Sequence, residues 1–538
     1  MSTATEAASG AEARTSESVA LDELAGFVLD QTGRPVDMLA VAATLESRGI
    51  RDVDAQDVHG ENDVFALAED VYGRCLRLSG PGSVEARKPT AVARSQTIST
   101  ALRWYGQGAV KSLPIVLQTA AVIVLGYAMW SSLTFDRRLA STVAVATILS
   151  FFVTGGFVQA ISQLSIYYRD QRSYVLARTI SWRLFRGGLA GAVVVGTAVL
   201  ALEAVGSWVP IALALVGGIY YLLLSGLWLA LSILYALERH LAVIVVFALG
   251  TAVVTGAQLL TTVSIVTAHL VGLCFAVSAA SAYAGLSLRR LAGRADTTAR
   301  LARLPRLTLL AFGVAPYFWY GIAYFGFLFL DRLIAWSTGT HPLPIWLDTP
   351  YEYGLDFALL AFVLTLPQLE YSVHKFSGTL VAVQESFDGT DATGHNAHFV
   401  RFYFRQVGAL AAVGLVSTAL MWWGLTALRG TDGAFNLASP GPVTFGVFAW
   451  GVVGYLLLAL GLMNGVFLFS LSRPTAVLSA LSLAVFVDLG LGWWLSRHLS
   501  YWYAIVGMTA GALVFAAVTC LAAVRVLKQL DYYYYSAY

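Results

Sequence analysis

The sequence has 538 residues, of which 57% are hydrophobic and only 12% are charged. A water-soluble core cannot bury so much apolar surface, so the composition indicates an integral membrane protein. The net charge of +2 is too small for the strongly basic surface of a nucleic-acid-binding protein. We therefore expect no nucleic-acid partner.

The sequence also lacks the motifs of common enzymes and metal sites. Its three cysteines, at positions 75, 274 and 520, form neither a disulfide framework nor a CxxC-type metal site. There is no P-loop of the G-x-x-x-x-G-K-[ST] type, no HExxH and no G-x-S-x-G. We therefore expect no enzymatic activity, no cofactor and no bound metal.

The N-terminal part differs from the rest of the chain because it is acidic and has no long apolar stretch. Residues 1–18 lack hydrophobic periodicity, which predicts a disordered tail. Apolar residues at helical spacing predict a small helical cytoplasmic domain over 19–79, with Leu21, Leu24 and Val28 on one buried face. Residues 80–104 are expected to be a linker. The domain could dock a cytoplasmic partner, although no residue identifies one.

Twelve later stretches are apolar and long enough to cross a bilayer, which takes about 20 residues per helix. The division between the fifth and sixth stretches depends on a polar patch around Gln258, Thr261 and Thr262. The predicted spans lie near residues 110–132, 139–163, 187–206, 209–236, 241–258, 261–286, 307–333, 353–373, 406–427, 442–471, 474–496 and 501–526.

The spans fall into two groups of six. The expected fold class is an all-α polytopic membrane protein of about twelve transmembrane helices in two six-helix lobes, at residues 105–290 and 307–530. A basic connector at 291–306 joins the lobes, and a tail follows at 531–538. Such a layout is typical of two bundles that enclose a central path.

Arginine and lysine are concentrated in the loops that follow even-numbered spans. The loop after span 2 has five arginines between residues 169 and 186, and the loop after span 6 has six between 289 and 306. Because such loops resist translocation, we expect both termini on the cytoplasmic side of the cytoplasmic membrane. Four arginines depart from this pattern, at positions 137, 138, 429 and 497.

Ionisable groups inside a membrane are costly, so each is a candidate for function. Asp488 lies near the middle of span 11, from where so short a side chain cannot reach the interface. Asp331 and Arg332 are adjacent near the outer end of span 7, and they point to different sides of the helix. They form either an interfacial pair or part of the outer mouth of a path. Asp356 lies near the outer end of span 8.

Further polar residues lie towards the inner side. Glu370 and His374 are one turn apart on span 8 and form either an inward-facing gate or a pair that closes the helix end. Gln159 and Gln163 share one face of span 2 and bind either a sugar hydroxyl or a neighbouring helix. The candidates for the substrate path are thus Asp331, Arg332, Asp356, Glu370, Asp488, Gln159 and Gln163.

Several segments carry a family resemblance, among them two within the first eight spans and the region from 350 to 370 with 399–403 that follows. The segment LWLALSILYALER at 227–239, followed by AVIVVFALG at 242–250, resembles spans 4 and 5 of PelG-like membrane subunits of the Pel exopolysaccharide exporter. The segment YGIAYFGFLFLDRLIAW at 320–336 is similar to span 7 of that family. The acidic N-terminal domain departs from the family pattern.

The resemblance implies a fold and a function. The family belongs to the multidrug/oligosaccharidyl-lipid/polysaccharide (MOP) flippase superfamily, whose two six-helix lobes surround a central cavity. It implies export of a polysaccharide or lipid-linked glycan, with membrane lipid around the chain and a cytoplasmic glycosyltransferase as partner. Two alternatives stay open: an ion-coupled antiporter in which Asp488 titrates, and a membrane scaffold that recruits a partner through its N-terminal domain.

Overall fold

The computed structural model describes residues 20–31, 35, 37–78, 92–293, 305–384, 392–428 and 439–535. The predicted disordered tail lies outside these residues, as do most of the basic connector, the first part of the linker and the last three residues of the chain. Two compact units are present. The first comprises the described residues up to Thr100 together with Ser377–Val400, and the second comprises Ala101–Phe376 with the described residues from Arg401 onwards.

The N-terminal domain is built from four short helices. They are α1 (residues 20–31), α2 (Met38–Ser47), α3 (Asp52–His59) and α4 (Val64–Leu78). Leu24, Val28 and Cys75 lie in its core, and burial raises the pKa of the Cys75 thiol. The acidic residues serve as helix caps, since the Asp52 side chain accepts a hydrogen bond from Val64 N and Asp63 accepts one from Ala66 N.

Twelve helices in the described part are long and apolar enough to cross a membrane, which confirms the predicted fold class. They are numbered spans 1 to 12, and a short helix, Leu530–Tyr535, follows the last one. Their helical bounds are Val92–Leu125, Arg137–Asp170, Tyr174–Gly206, Ile211–Ala236, His240–Leu260, Ile265–Ala292, Leu307–Trp336, Thr349–Val363 with Leu366–Gln384, Ala392–Ala427, Pro442–Ser470, Pro474–Val487 with Trp493–His498, and Ala504–Leu527.

Span 1 begins earlier than the sequence suggested. Its helix starts at Val92, within the stretch expected to be a linker, and its apolar, membrane-crossing part begins at Leu102. No proline or glycine occurs between Pro89 and Gly106, so nothing in the local sequence interrupts the helix there. Span 1 therefore continues as one helix beyond its apolar part.

Span 1 also ends earlier than predicted, at Leu125 instead of near residue 132. Gly126 has a φ of +82°, and its carbonyl accepts a hydrogen bond from Leu133 N across a tight hairpin. At the tip of this hairpin Met129 is fully buried, and its backbone N–H donates to Gln118 Oε1 at 3.0 Å. The hairpin thus folds back into the first lobe, where protein groups satisfy its backbone.

The polar patch between spans 5 and 6 separates two helices, as predicted. Span 5 ends at Leu260, and span 6 begins at Ile265. Ser264 caps the second helix, because its side chain accepts a hydrogen bond from Thr267 N.

Spans 2 and 7 form a close contact between the two lobes. Span 7 packs on spans 11 and 12 of its own lobe and on span 2 of the other. Gly155 and Gly321 bring the two backbones together, since a Cβ atom on Gly321 would overlap the carbonyl group of Gly155. Beside them, the ring of Phe151 stacks on Phe325 at 4.9 Å and on Phe329 at 5.5 Å. This part of the seam is therefore packed and apolar.

The close approach at Gly321 predicts a stability effect. We expect Gly321→Ala to destabilise the protein by about 1–3 kcal/mol, because the added methyl group forces spans 2 and 7 apart. Gly313→Ala is the matched control, since a Cβ at Gly313 on the same helix meets no atom within 4 Å. Thermal unfolding of both purified variants in detergent measures the difference. Equal melting temperatures would contradict the predicted contact.

Candidate functional site

Four acidic side chains and one arginine form a chain of neighbouring charged groups in the second lobe. This charged cluster consists of Asp331, Arg332, Glu352, Asp356 and Asp488. Arg332 is buried, and its Nε donates to Glu352 Oε2 at 3.1 Å. Its Nη2 lies 4.0 Å from Asp356 Oδ1.

The remaining donor of Arg332 is also engaged. Its Nη1 donates to the hydroxyl of Tyr455 at 3.3 Å and to the carbonyl oxygen of Leu328 at 3.1 Å. These contacts join three elements, namely spans 7, 8 and 10. Arg332 is therefore held in one position by carboxylates, a hydroxyl group and backbone.

Asp331 points away from Arg332 and is held by a different partner. Its side chain is fully buried, and its Oδ2 accepts a hydrogen bond of 2.7 Å from the hydroxyl of Tyr351 on span 8. Its Oδ1 has no hydrogen-bond partner. The two neighbouring charges thus belong to different sides of span 7, as the sequence suggested.

Asp488 starts an irregular turn in the middle of span 11. Residues Asp488–Gly492 form a π-helical segment, a feature that occurs frequently at functional sites. Gly492 and Gly507 allow spans 11 and 12 to approach closely here, because a Cβ on Gly507 would overlap the backbone of Gly492. Both carboxyl oxygens of Asp488 are buried without a hydrogen-bond partner, and Asp331 is its electrostatic neighbour.

The charges in this cluster do not balance. The cluster contains four carboxyl groups and one guanidinium group, so full ionisation would leave three uncompensated negative charges. Four buried oxygens have no partner: Asp331 Oδ1, Glu352 Oε1 and both oxygens of Asp488. Because an unpaired buried charge is costly, the site needs additional positive charge, supplied by protons or by a cation. In the described part of the chain, no three His, Cys, Asp or Glu residues are grouped closely enough to hold a metal ion.

Asp356 is the exposed member of the cluster, and Phe329 connects the cluster to the interlobe seam. The Asp356 side chain is 60% exposed, although its partner Arg332 is only 5% exposed. The guanidinium of Arg332 lies 5.4 Å from the centre of the Phe329 ring, which stacks on Phe151 of span 2. A ligand could therefore reach the cluster through Asp356.

Glu370 lies elsewhere and joins the two lobes. Its Oε2 accepts a hydrogen bond of 2.6 Å from Lys111 Nζ on span 1, and both side chains are about one-third exposed. Gly108 makes this approach possible, since it packs directly on Pro367 in the second half of span 8. Glu370 is thus paired with Lys111 and not with His374, whose ring stacks on Trp104.

The two glutamines of span 2 are also separate from the charged cluster. The Gln159 side chain packs on Gly321 at the seam, and Gln163 is exposed. Gln159 lies about 12 Å along the helix from Phe151, the residue of span 2 next to the cluster. The structure therefore brings together Asp331, Arg332, Asp356 and Asp488, but places Glu370, Gln159 and Gln163 outside the cluster.

Sequence reasoning missed three members of this site, namely Glu352, Tyr351 and Tyr455. Glu352 could have been found, because it precedes Asp356 by four residues and shares its helix face. The two tyrosines have no such pattern, since their roles depend on how spans 8 and 10 pack against span 7.

Comparison with solved structures identifies the fold. A MATE in the bent conformation matches with a TM-score of 0.54 at 12% sequence identity, covering 80% of this chain and 96% of that chain. A MATE in the straight conformation matches with a TM-score of 0.52 at 11% identity and the same coverage. An outward-facing multidrug resistance MATE family transporter of the MOP superfamily gives 0.50 at 14% identity, again over 80% and 96%.

No family model matches the sequence, and no curated protein matches it. At such low sequence identity, the structural likeness establishes the fold alone. The chain has the fold of MATE transporters, which agrees with the superfamily-level architecture that the sequence resemblance implied. The PelG-like identity and the glycan substrate stay predictions.

The ion pair between Lys111 and Glu370 predicts a charge-dependent opening. We expect Lys111→Glu to increase labelling of Ser112→Cys by a membrane-impermeant maleimide about fivefold, since a partly exposed ion pair contributes up to about 1 kcal/mol. Ser112 is 6% exposed in the closed arrangement. The swapped pair, Lys111→Glu with Glu370→Lys, should return labelling to its original rate. Lys528→Glu, just after span 12, is the control, and equal labelling in all variants would contradict the predicted opening.

Proposed function

We propose that this chain is a two-lobe membrane transporter that exports a polysaccharide or lipid-linked glycan across the cytoplasmic membrane. In this proposal both termini and the arginine-rich loops face the cytoplasm. A MATE-like fold supports the transporter part, and the PelG-like segments support the glycan part. A cytoplasmic glycosyltransferase would supply the polymer.

The charged cluster is the main structural observation that supports the proposal. A scaffold that only recruits a partner has no use for buried, unbalanced carboxyl groups in the middle of a lobe, because such groups destabilise it. A transporter uses them, since Arg332 and the exposed carboxylate of Asp356 can exchange hydrogen bonds with the hydroxyl groups of a sugar.

Alternating access fits the contacts between the lobes. On the arginine-rich side, spans 1 and 8 meet at Lys111 and Glu370, which must separate for a path to open there. On the opposite side, Leu347 N from the connection after span 7 donates to Ser141 Oγ at the start of span 2. Each of these contacts includes a polar pair that can exchange its partner for water, whereas at Gly155 and Gly321 the two backbones pack directly on each other. The lobes would therefore turn about spans 2 and 7.

A second candidate is an ion-coupled antiporter with the same architecture. The unpartnered carboxyl group of Asp488 favours it, because a site with excess negative charge takes up protons or a cation when it is exposed to one side of the membrane. The two candidates differ in substrate and in energy source, and two experiments separate them.

The first experiment tests export of a glycan. We expect cells that lack this protein to lose surface polysaccharide, measured as the sugar content of the secreted polymer. Complementation with Asp356→Asn should restore about one-tenth or less, because a hydrogen bond to a charged group contributes roughly 1.5–3 kcal/mol. Asp136→Asn, at an exposed position before span 2, is the control. Unchanged surface polysaccharide in the deletion strain would overturn the glycan proposal.

The second experiment tests ion coupling through Asp488→Asn. The amide keeps the shape of the side chain but cannot take up a proton, so we expect transport by this variant to lose its dependence on a proton or sodium gradient. Export is compared in de-energised and energised membrane vesicles that contain equal amounts of each protein. Wild-type export that is insensitive to both gradients would rule out the antiporter.

A further inference from the structure

The first lobe contains an apolar crevice that the proposed transport path does not use. The crevice lies between spans 2, 3 and 4, and its volume is about 220 Å³. Small residues create the space, among them Ala146 on span 2, Gly196 on span 3 and Gly218 on span 4. The lining extends about 12 Å along span 2, from Ser141 to Leu149.

Most of the few polar atoms of the lining are already engaged within the protein. Ser141 Oγ bonds to the Arg137 carbonyl oxygen, and Thr142 Oγ1 bonds to the Arg138 carbonyl oxygen. The Tyr221 hydroxyl donates to a backbone carbonyl oxygen, and Glu203 accepts from a backbone N–H. A ligand would therefore meet a surface with almost no free hydrogen-bonding groups.

The crevice belongs to the lipid-facing side of the lobe. Span 3 is the least enclosed helix of the first lobe, and Val199 and Leu202 on it are largely exposed, as is Leu215 on span 4. In a membrane these residues contact hydrocarbon, so the crevice opens towards lipid chains.

The second lobe provides the cover of the crevice. Leu343, Pro344 and Ile345 line it, and they belong to the connection between spans 7 and 8. Leu343 is buried, and nearby Leu347 N donates to Ser141 Oγ at 2.9 Å. The crevice is thus complete only when this connection is docked on the first lobe.

We propose that the crevice binds one fatty acyl chain of a membrane phospholipid and that the bound chain stabilises the docked connection. A glycan does not suit it, because the lining offers too few free partners for the many hydroxyl groups of a sugar. Water does not suit it either, since apolar cavities stay dry. A protein helix, about 10 Å in diameter, is too wide for this volume. A single hydrocarbon chain fits and gains close packing against the small residues.

This site is tested by filling it. Gly218→Leu places a side chain in the crevice, where the nearest atom to a Cβ is Leu200 at 3.4 Å. Gly256→Leu on span 5 is the matched control, because a Cβ there meets no atom within 4 Å. The purified full chain is mixed with phosphatidylethanolamine, and bound lipid is counted by native mass spectrometry. We expect wild type and Gly256→Leu to retain a lipid that Gly218→Leu loses, and equal retention by all three proteins would overturn the proposal.

A labelling experiment on the wild-type protein keeps the test independent of folding. A phosphatidylethanolamine with a diazirine at the end of one acyl chain is photolysed in proteoliposomes, and labelled peptides are identified. We expect labelling to concentrate at residues 141–149 and 214–221, which line the crevice. Labelling spread evenly over span 5 and the other lipid-facing helices would show only bulk lipid contact and would refute the site. Neither experiment depends on the transported substrate, so failure here leaves the proposed transport function intact.

Discussion

The structure depends on one constraint, which is that backbone polar groups inside a bilayer must be satisfied by the protein itself. Regular helices meet this requirement, and three departures from them in the described chain show how irregular backbone is accommodated. At the hairpin after span 1, Gln118 accepts a hydrogen bond from Met129 N. At the break of span 8, the hydroxyl of buried Thr365 donates to Phe362 O. The third is the π-helical segment that begins at buried Asp488. Each irregular turn thus coincides with a buried polar side chain.

Charged groups inside a bilayer must also be compensated by the protein. The two lobes differ in how many buried acidic residues they contain. In the first six spans and their short connections, acidic residues occur only at or beyond helix ends, at positions 136, 170, 203 and 238. In the second lobe, by contrast, Asp331, Glu352 and Asp488 lie inside the bundle with a single buried arginine. A symmetric pore would distribute such groups over both halves. In this protein the buried acidic residues instead belong to the second lobe, and the interior of the first lobe is largely uncharged.

Hydropathy predicts the twelve spans because an apolar stretch of membrane length is a property of the sequence alone. Tertiary contacts, by contrast, cannot be predicted from hydropathy. The hairpin at Gly126 was not predictable, since its residues are as apolar as a helix, and the pair of Lys111 with Glu370 joins residues 259 positions apart. Arg497, which contradicts the charge pattern of the loops, has a local reason: its guanidinium donates to Ile334 O and Ser337 O at the end of span 7.

Aromatic packing explains why the charged cluster lies where it does. Trp228 of span 4 stacks on Phe151 of span 2 at 4.3 Å, and Phe151 stacks on Phe329 of span 7. The guanidinium group of Arg332 lies over the ring of Phe329. Behind them Trp130, from the hairpin after span 1, meets Trp228 edge to face. Protein interiors are close-packed, so a displaced ring displaces its neighbours. A change in the charge that surrounds Arg332 is therefore felt at the contact of spans 2 and 7, about which the lobes would turn in the proposed transport cycle.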